Sequence, residues 1–229
     1  MTEQQIPKLV ASLVEHQNVF SQIPTEDAQW AIQNTVVAIG LFAEALANHV
    51  KQTTEKIAEK LMVLVGTITV PATTKKFRAG ANFLLKRDGG ICSYFGDNFR
   101  RWFLEGDGKA EDPITEQTLR YAKLCKASAD GPIIAELGGE AKAETTLSEM
   151  FSLMENQKHG EDGVLLNNGY ANIFYIKDQA GALRTVIVSW FDDGWLVYAC
   201  SVEYPSRWDG GFRVFSRNSV LESSVTAVA

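Results

Sequence analysis

YANIFYIKDQAGALRTVIVSWFDDGWLVYACSV, residues 170–202, holds three runs rich in β-branched and aromatic residues (170–177, 183–191 and 195–202) separated by DQAG and DDG. Runs of this composition bounded by Asp and Gly read as strands, and links this short make neighbouring strands antiparallel. The stretch predicts a β-meander, with FRVFS (212–216) as a fourth strand. In the middle run Leu183, Ile187 and Phe191 alternate with Val186, Val188 and Trp190, so large apolar groups fall on both faces and both need cover.

The cover for one face lies upstream. Thr146 and Glu149 have the spacing of a capping box, and Leu147, Met150, Phe151 and Met154 stand at i, i+3, i+4 and i+7, with Gly160 as a stop. This predicts a helix over 147–157. Before it, residues 114–126 read as another helix, and DGPIIAELGGEAKAE (130–144) as an irregular crossing broken by proline and paired glycines.

The first third reads as helical. Thr25 can cap a helix whose first turn carries Glu26 and Asp27, and no proline follows until Pro71. Apolar or small residues recur at Phe42, Leu46, Val50, Thr53, Ile57, Leu61 and Leu64, close to the period of a straight helix. One helix over 25–65 would be about 60 Å long, against a radius of gyration of about 17 Å for a compact chain of this size. Either it breaks, at Gly40 or within NHVKQTTEK (48–56), to form an antiparallel hairpin with residues 6–20, or its overhang packs on a second subunit.

The expected architecture is α+β: a helical segment for a bundle or oligomerisation (1–66), a basic β-hairpin with a short helix (67–104), an α+β domain containing the meander (105–217) and a flexible tail (218–229). The loop EGDGKAEDP (105–113) is the natural boundary between the second and third segments.

The 229 residues carry 22 cations and 28 carboxylates, for a net charge of −6 and a pI near 5.2, which disfavours coating nucleic acid or anionic membrane with the whole surface. No run reaches the roughly 20 apolar residues of a membrane helix, and MTEQQIPKLVASLVEHQ lacks the pattern of a secretory signal. The expectation is a cytoplasmic protein without a membrane partner. Cys92, Cys125 and Cys200 are odd in number, widely spaced and without a CxxC pair, so buried free thiols are expected rather than disulfides or zinc.

Against this acidic background, KKFRAGANFLLKRDGGICSYFGDNFRRWF (75–103) has seven cations and two carboxylates, while the remainder has 15 and 26. Read as a strand over 75–86 that returns through RDGG into ICSYF, it sorts Phe77, Phe83 and Leu85 to one face and Lys76, Arg78 and Lys86 to the other. Asp97 can cap a short helix on which Phe99, Trp102 and Phe103 share a stripe. The rings then belong to the core, with Tyr94 and Phe95 left as stackers, and the cations form a surface. Lys76, Arg78, Lys86, Arg87, Arg100 and Arg101 are the candidate anion-binding residues, for phosphate contact without base readout. A solvated edge strand guarded by cations, or an acidic protein partner, explains the same pattern.

Catalytic signals are thin. His16, His49 and His159 are isolated, and HGED (159–162) reads as a helix end. Asp130, Glu140 and Lys142 fit a nuclease-like Asp…Glu-x-Lys only loosely, because the strands it needs are missing, and no GxxxxGK[ST] phosphate loop is present. Asp192 and Asp193 fit hairpin-turn chemistry. Trp190, Trp195, Tyr204, Arg207 and Trp208 gather near the end of the meander, as core closure or as a ligand site. No metal or cofactor is implied. The leading expectation is a non-catalytic binding or assembly protein, contacting an anionic partner such as nucleic acid and oligomerising through its N-terminal helices. The alternatives are a small-molecule or peptide enzyme with a site at the C-terminal rings, Asp192, Asp193 and His159, and a structural subunit of a larger assembly, which would expose a large apolar patch.

Overall fold

The computed structural model describes residue 11 and residues 23–204 and 207–217, with the backbone alone for 49–59. The chain divides into two compact units, residues 1–55 and 56–229. The first holds α1 (Thr25–Gln33) and, after one residue, all but the last four residues of α2 (Thr35–Glu59). Pro24, not Thr25, occupies the cap position, while Glu26 and Asp27 fall in the first turn as their charge requires. The break is at neither Gly40 nor 48–56 but at Asn34, where α1 and the first part of α2 bend by 110°. There the Asn34 backbone N–H and side-chain Nδ2 both donate to the Trp30 carbonyl at 2.9 Å, and Thr35 Oγ1 donates to the Ile32 carbonyl at 2.8 Å. Short polar side chains that satisfy the backbone locally compete with helix continuation. Apart from residue 11, the hairpin partner at 6–20 lies outside the described residues, as does the tail at 218–229.

The second unit is α+β, built on a mixed eight-stranded sheet. Its strands are β1 (Met62–Val70), β3 (Cys92–Phe95), β5 (Gln117–Leu124), β6 (Glu144–Thr145), β7 (Asn172–Lys177), β8 (Leu183–Phe191), β9 (Gly194–Ser201) and β10 (Arg213–Ser216). The order is β1-β5-β10-β7-β8-β9-β3, with β6 beside β7; β2 (Phe77–Arg78) and β4 (Ala110–Glu111) form a separate ribbon. The β7-β8-β9 meander is antiparallel throughout, from Asn172 opposite Val188 to Phe191 opposite Gly194. Its first turn is held by Asp178, whose Oδ1 accepts from the Ala180 and Ala182 N–H groups and whose Oδ2 accepts from Arg184 Nε at 2.7 Å. Its second uses Asp192 at φ 54°, a left-handed position that Asp tolerates.

Side-chain alternation gives the sheet two cores. On one face Phe174, Ile176, Val186, Val188, Trp195 and Phe215 pack beneath α7 (Leu147–Asn156). On the other, Ile173, Tyr175, Leu183 and Val214 pack against Ile133, Ile134 and Leu137 of α5 (Asp130–Leu137) and Ala143 of α6 (Glu140–Ala143). The 130–144 stretch is therefore two short helices rather than an irregular crossing. The α7 stripe is buried as its spacing predicts, and both arms of the Thr146–Glu149 capping box form. A further carboxylate, Glu111, accepts from the Leu147 and Ser148 N–H groups at 3.0 and 2.9 Å, so the first three amides of α7 all have side-chain acceptors.

Several expectations are corrected. Residues 117–124 form β5, not a helix, paired with β1 on one side and β10 on the other. Residues 62–66, read as the end of the helical segment, open β1. β10 does not extend the meander beyond β9; the intervening chain carries it across the sheet to lie parallel to β7, and the β9 edge is taken by β3, also parallel. The 75–95 hairpin does not form. After β2 the chain makes a helical turn, α3 (Ala79–Asn82), then a 3₁₀ turn (Lys86–Asp88) ended by Gly89 at φ 84°. Gly90 packs so tightly on the Leu84 carbonyl that a Cβ there would lie 2.0 Å from its oxygen.

Candidate functional site

Residues 75–86 are extended only at Phe77–Arg78, so the pleat that would separate rings from cations is absent there, yet the rings still go inward. Phe83, Phe95, Phe99 and Phe103 are buried with Phe151 in one aromatic cluster, where Phe83 meets Phe99 and Phe151 edge-on at 5.1 and 5.0 Å. Phe95 is thus core, and Tyr94 is the exposed ring, 5.6 Å from Tyr198. Phe99 ends α4 (Asp97–Phe99), which continues as a π turn over Arg100–Leu104. Gly96 holds the cap position there, and Asp97 makes no side-chain cap.

Five of the six candidate cations are dispersed among separate partners. Lys76 pairs with Asp112 at 3.2 Å, Lys86 with Asp193 at 3.2 Å and Arg87 with Asp88 at 3.7 Å, all exposed. Arg100 donates to the Phe95 carbonyl and lies over the Phe95 ring, while Arg101 donates to Asn98 and lies over Trp102. Arg78 is exposed in β2. Lys76 also lines a cleft of about 460 Å³ with Lys75, Phe77, Phe151, Ser152 and Glu155.

The C-terminal ring set is split between the two cores. Trp190 and Trp195 meet edge to face at 5.2 Å on the α7 side, where Trp195 Nε1 donates to the Gln157 carbonyl. Trp208 packs on the opposite side. Tyr204 is exposed, and Arg207 donates to the Ala127 carbonyl. Asp193 is occupied by Lys86, and His159 lies in an exposed turn where its backbone N–H donates to Glu161 Oε2 at 2.8 Å. That donation is the main reason the Glu161 carboxyl is held below its ordinary range.

The most unusual polar cluster in the second unit centres on Asp130, at the start of α5 and 1% exposed. Its Oδ1 accepts from Tyr175 Oη at 2.9 Å and Trp208 Nε1 at 2.8 Å. Thr185 stands close enough to favour the carboxylate weakly, but Oδ2 and Thr185 Oγ1 both lack a hydrogen-bond partner among the described residues. Burial pushes the Asp130 carboxyl up and raises Tyr175 well above the usual phenol range. Two donors and one acid enclosed in this way fix the geometry between α5, β7 and the segment before β10. The nuclease-like trio is not assembled, because Glu140 and Lys142 are exposed on α6. Alternation in β7 places Tyr175 on the α5 face, but nothing in the sequence pairs it with Trp208, 33 positions away.

Cys92 is buried, and burial pushes its thiol up to about 12; Cys125 and Cys200 are only half-buried, correcting the expectation for those two. No single helix among the described residues is long and apolar enough to cross a membrane; α1 and α2 as far as Asn48 meet that length and composition only when counted together. No family model, curated protein or solved structure matches the chain.

The first unit has a different character. No described residue of α1 or α2 is buried, and Ile32, Val36, Ile39 and Leu41 are each more than half exposed. Val36, Ile39, Ala43 and Leu46 follow steps of three, four and three, which the sequence repeats at Val50, Thr53 and Ile57. Among the described side chains this spacing places Val36, Ile39, Ala43 and Leu46 in one row on α2.

Proposed function

We propose that the protein is a non-catalytic assembly protein in which copies of the chain associate through α2 and the α+β unit serves as the binding module. The observation that carries this reading is the uncovered apolar surface of the helical unit. Full burial of Val36, Ile39 and Leu46 gains about 1.5–3 kcal/mol each, and two copies bring six such side chains, a sum of the same size as the roughly 4–15 kcal/mol that association costs. A repeat of 3.5 residues favours a like helix as occupant, because knobs at every third and fourth position fit the holes of a second copy.

An anionic partner such as nucleic acid is the second half of the proposal. It draws on the charge asymmetry of residues 75–103 and the exposure of Lys76, Arg78, Lys86 and Arg87. The carboxylates beside three of these are exposed as well, and such pairs contribute only about 0–1 kcal/mol. A partner's phosphates can therefore displace them.

Light-scattering mass measurement on the full chain, run at two salt concentrations with absorbance at 260 and 280 nm, tests both halves. A mass above the monomer that falls to monomer in Ile39→Asp/Leu46→Asp supports self-association, and a wild-type protein that stays monomeric at high concentration refutes it. Salt-sensitive co-purification of nucleic acid, lost in Lys76→Glu/Arg78→Glu/Lys86→Glu, supports the anionic partner. Binding unchanged in that triple variant removes the assigned residues.

A further inference from the structure

Lys123 of β5 and Arg213 of β10 are directly opposed in an antiparallel ladder. Like charges in this position repel and are ordinarily destabilising. Neither forms an ion pair among the described residues, although Arg213 is half-buried. Its guanidinium is steadied by the Tyr121 ring, 5.1 Å from the centroid, and by donation from Nη1 to the Val164 carbonyl. Those contacts fix its direction and leave its charge unmatched. Burial lowers the basicity of Arg213, so the cation is held here at a cost.

Both side chains line a cleft of about 450 Å³, a volume typical of small-molecule sites. The remaining walls are Val65 at the irregularity in β1, and Leu166, Asn168 and Tyr170 from the loop before β7. No carboxylate lines it. Tyr170 is set in place edge-on against Phe212 at 5.8 Å, and Gly211, at φ 100°, makes room for it: a Cβ there would lie 2.9 Å from the ring. One side of the cleft is thus a planar guanidinium fork beside an ammonium, the pairing that suits a phosphate or carboxylate. The other side is aliphatic and aromatic.

We propose that this cleft binds a small organic oxyanion, with its phosphate or carboxylate between Lys123 and Arg213 and its apolar body against Val65, Leu166 and Tyr170. The site lies wholly in the α+β unit and uses none of the cations at 75–103. It therefore stands or falls independently of the assembly proposal.

Calorimetric titration of the full chain with phenyl phosphate and with benzoate tests it, using inorganic phosphate and phenol as probes of the two halves of the ligand. The expected result is saturable binding of at least one aryl anion, weaker binding of inorganic phosphate and none of phenol; whichever anion binds tighter identifies the group held. Lys123 is exposed, so Lys123→Ala leaves the fold intact and lowers affinity about tenfold, in line with the loss of one charge-assisted contact. Tyr170→Ala weakens the aryl anions and leaves inorganic phosphate unchanged, and Lys142→Ala, exposed on α6 and outside the cleft, retains full affinity. No saturable binding of either aryl anion, the same affinity in Lys123→Ala, or equal loss in Lys142→Ala overturns the proposal.

Discussion

Replacing Asp130 distinguishes a buried acid kept for its charge from one kept for its shape. In Asp130→Ala, Tyr175 Oη and Trp208 Nε1 lose the oxygen they share at 2.9 and 2.8 Å. A buried donor left without a partner costs about 1–3 kcal/mol. Tyr175 is fully enclosed and Trp208 half-buried, so the sum is about 3 kcal/mol, or roughly a 6–12 °C fall in Tm for a unit of this size. Asp130→Asn should behave oppositely. Its Oδ1 still accepts both bonds, while its Nδ2 replaces the unpartnered Oδ2 and can donate to Thr185 Oγ1. The pH dependence follows from the raised carboxyl of the folded state. A folded-state pKa above the unfolded value of 3.8 means that the stability from Asp130 is fully present below pH 3.8 and is lost as pH rises through the folded value. The difference in Tm between Asp130→Asn and wild type should therefore increase in favour of the variant from acid toward neutral pH. Glu111, also raised by burial, titrates in both proteins and cancels. Calorimetry between pH 4 and 8 measures this. An Asn variant as unstable as Ala at pH 7, or a difference flat in pH, refutes the reasoning.

Glu111→Ala should destabilise by about 1–2 kcal/mol, because the Leu147 and Ser148 amides lose their acceptor at the start of α7; chemical denaturation monitored by far-UV circular dichroism reads it. Gly160→Ala should cost about 1–3 kcal/mol, since Gly160 sits at φ 75° and an added Cβ would lie 2.4 Å from the Trp190 ring; the same titration with Trp fluorescence should also report a displaced indole. In native protein at pH 8, mass spectrometry after maleimide labelling should show Cys125 and Cys200 modified well before Cys92, whose thiol is buried and pushed up to about 12. Equal labelling of all three would contradict the packing of β3.

What could be read in advance divides along a physical line. The meander and α7 were legible because each is specified by neighbours in sequence: tight Asp and Gly turns, a capping box, and apolar groups at helical spacing. The inward turn of Phe83, Phe99 and Phe103 was also legible, although the strand argued for it was not, since large rings seek the core whatever the backbone does. β5 misled because Gln117, Leu119, Arg120, Ala122, Lys123 and Leu124 favour helices intrinsically, and because a strand buried on both faces loses the clean alternation that marks one. Its conformation is imposed by β1 and β10, which lie far away in sequence. The Asp130–Tyr175–Trp208 cluster and the Lys123–Arg213 cleft escaped for the same reason. Each joins residues brought together only by the crossover between β9 and β10. At Asn34 the signal was present in a single side chain and was outweighed by the longer polar run at 48–56.

That crossover also governs the order in which the unit can be made. β10 sits between β5 and β7, yet it is the last of the sheet's strands to be synthesised. Until residue 216 has emerged, the β1–β5 pair and the β7–β8–β9–β3 group are two half-sheets, each with a bare ladder where its central neighbour belongs. A nascent chain or a truncation ending at Tyr204 would hold both in that state, ready to pair with a stranger. Four residues laid down at the end thus turn two sticky fragments into one closed body, and chaperone dependence during translation should be most acute just before they appear.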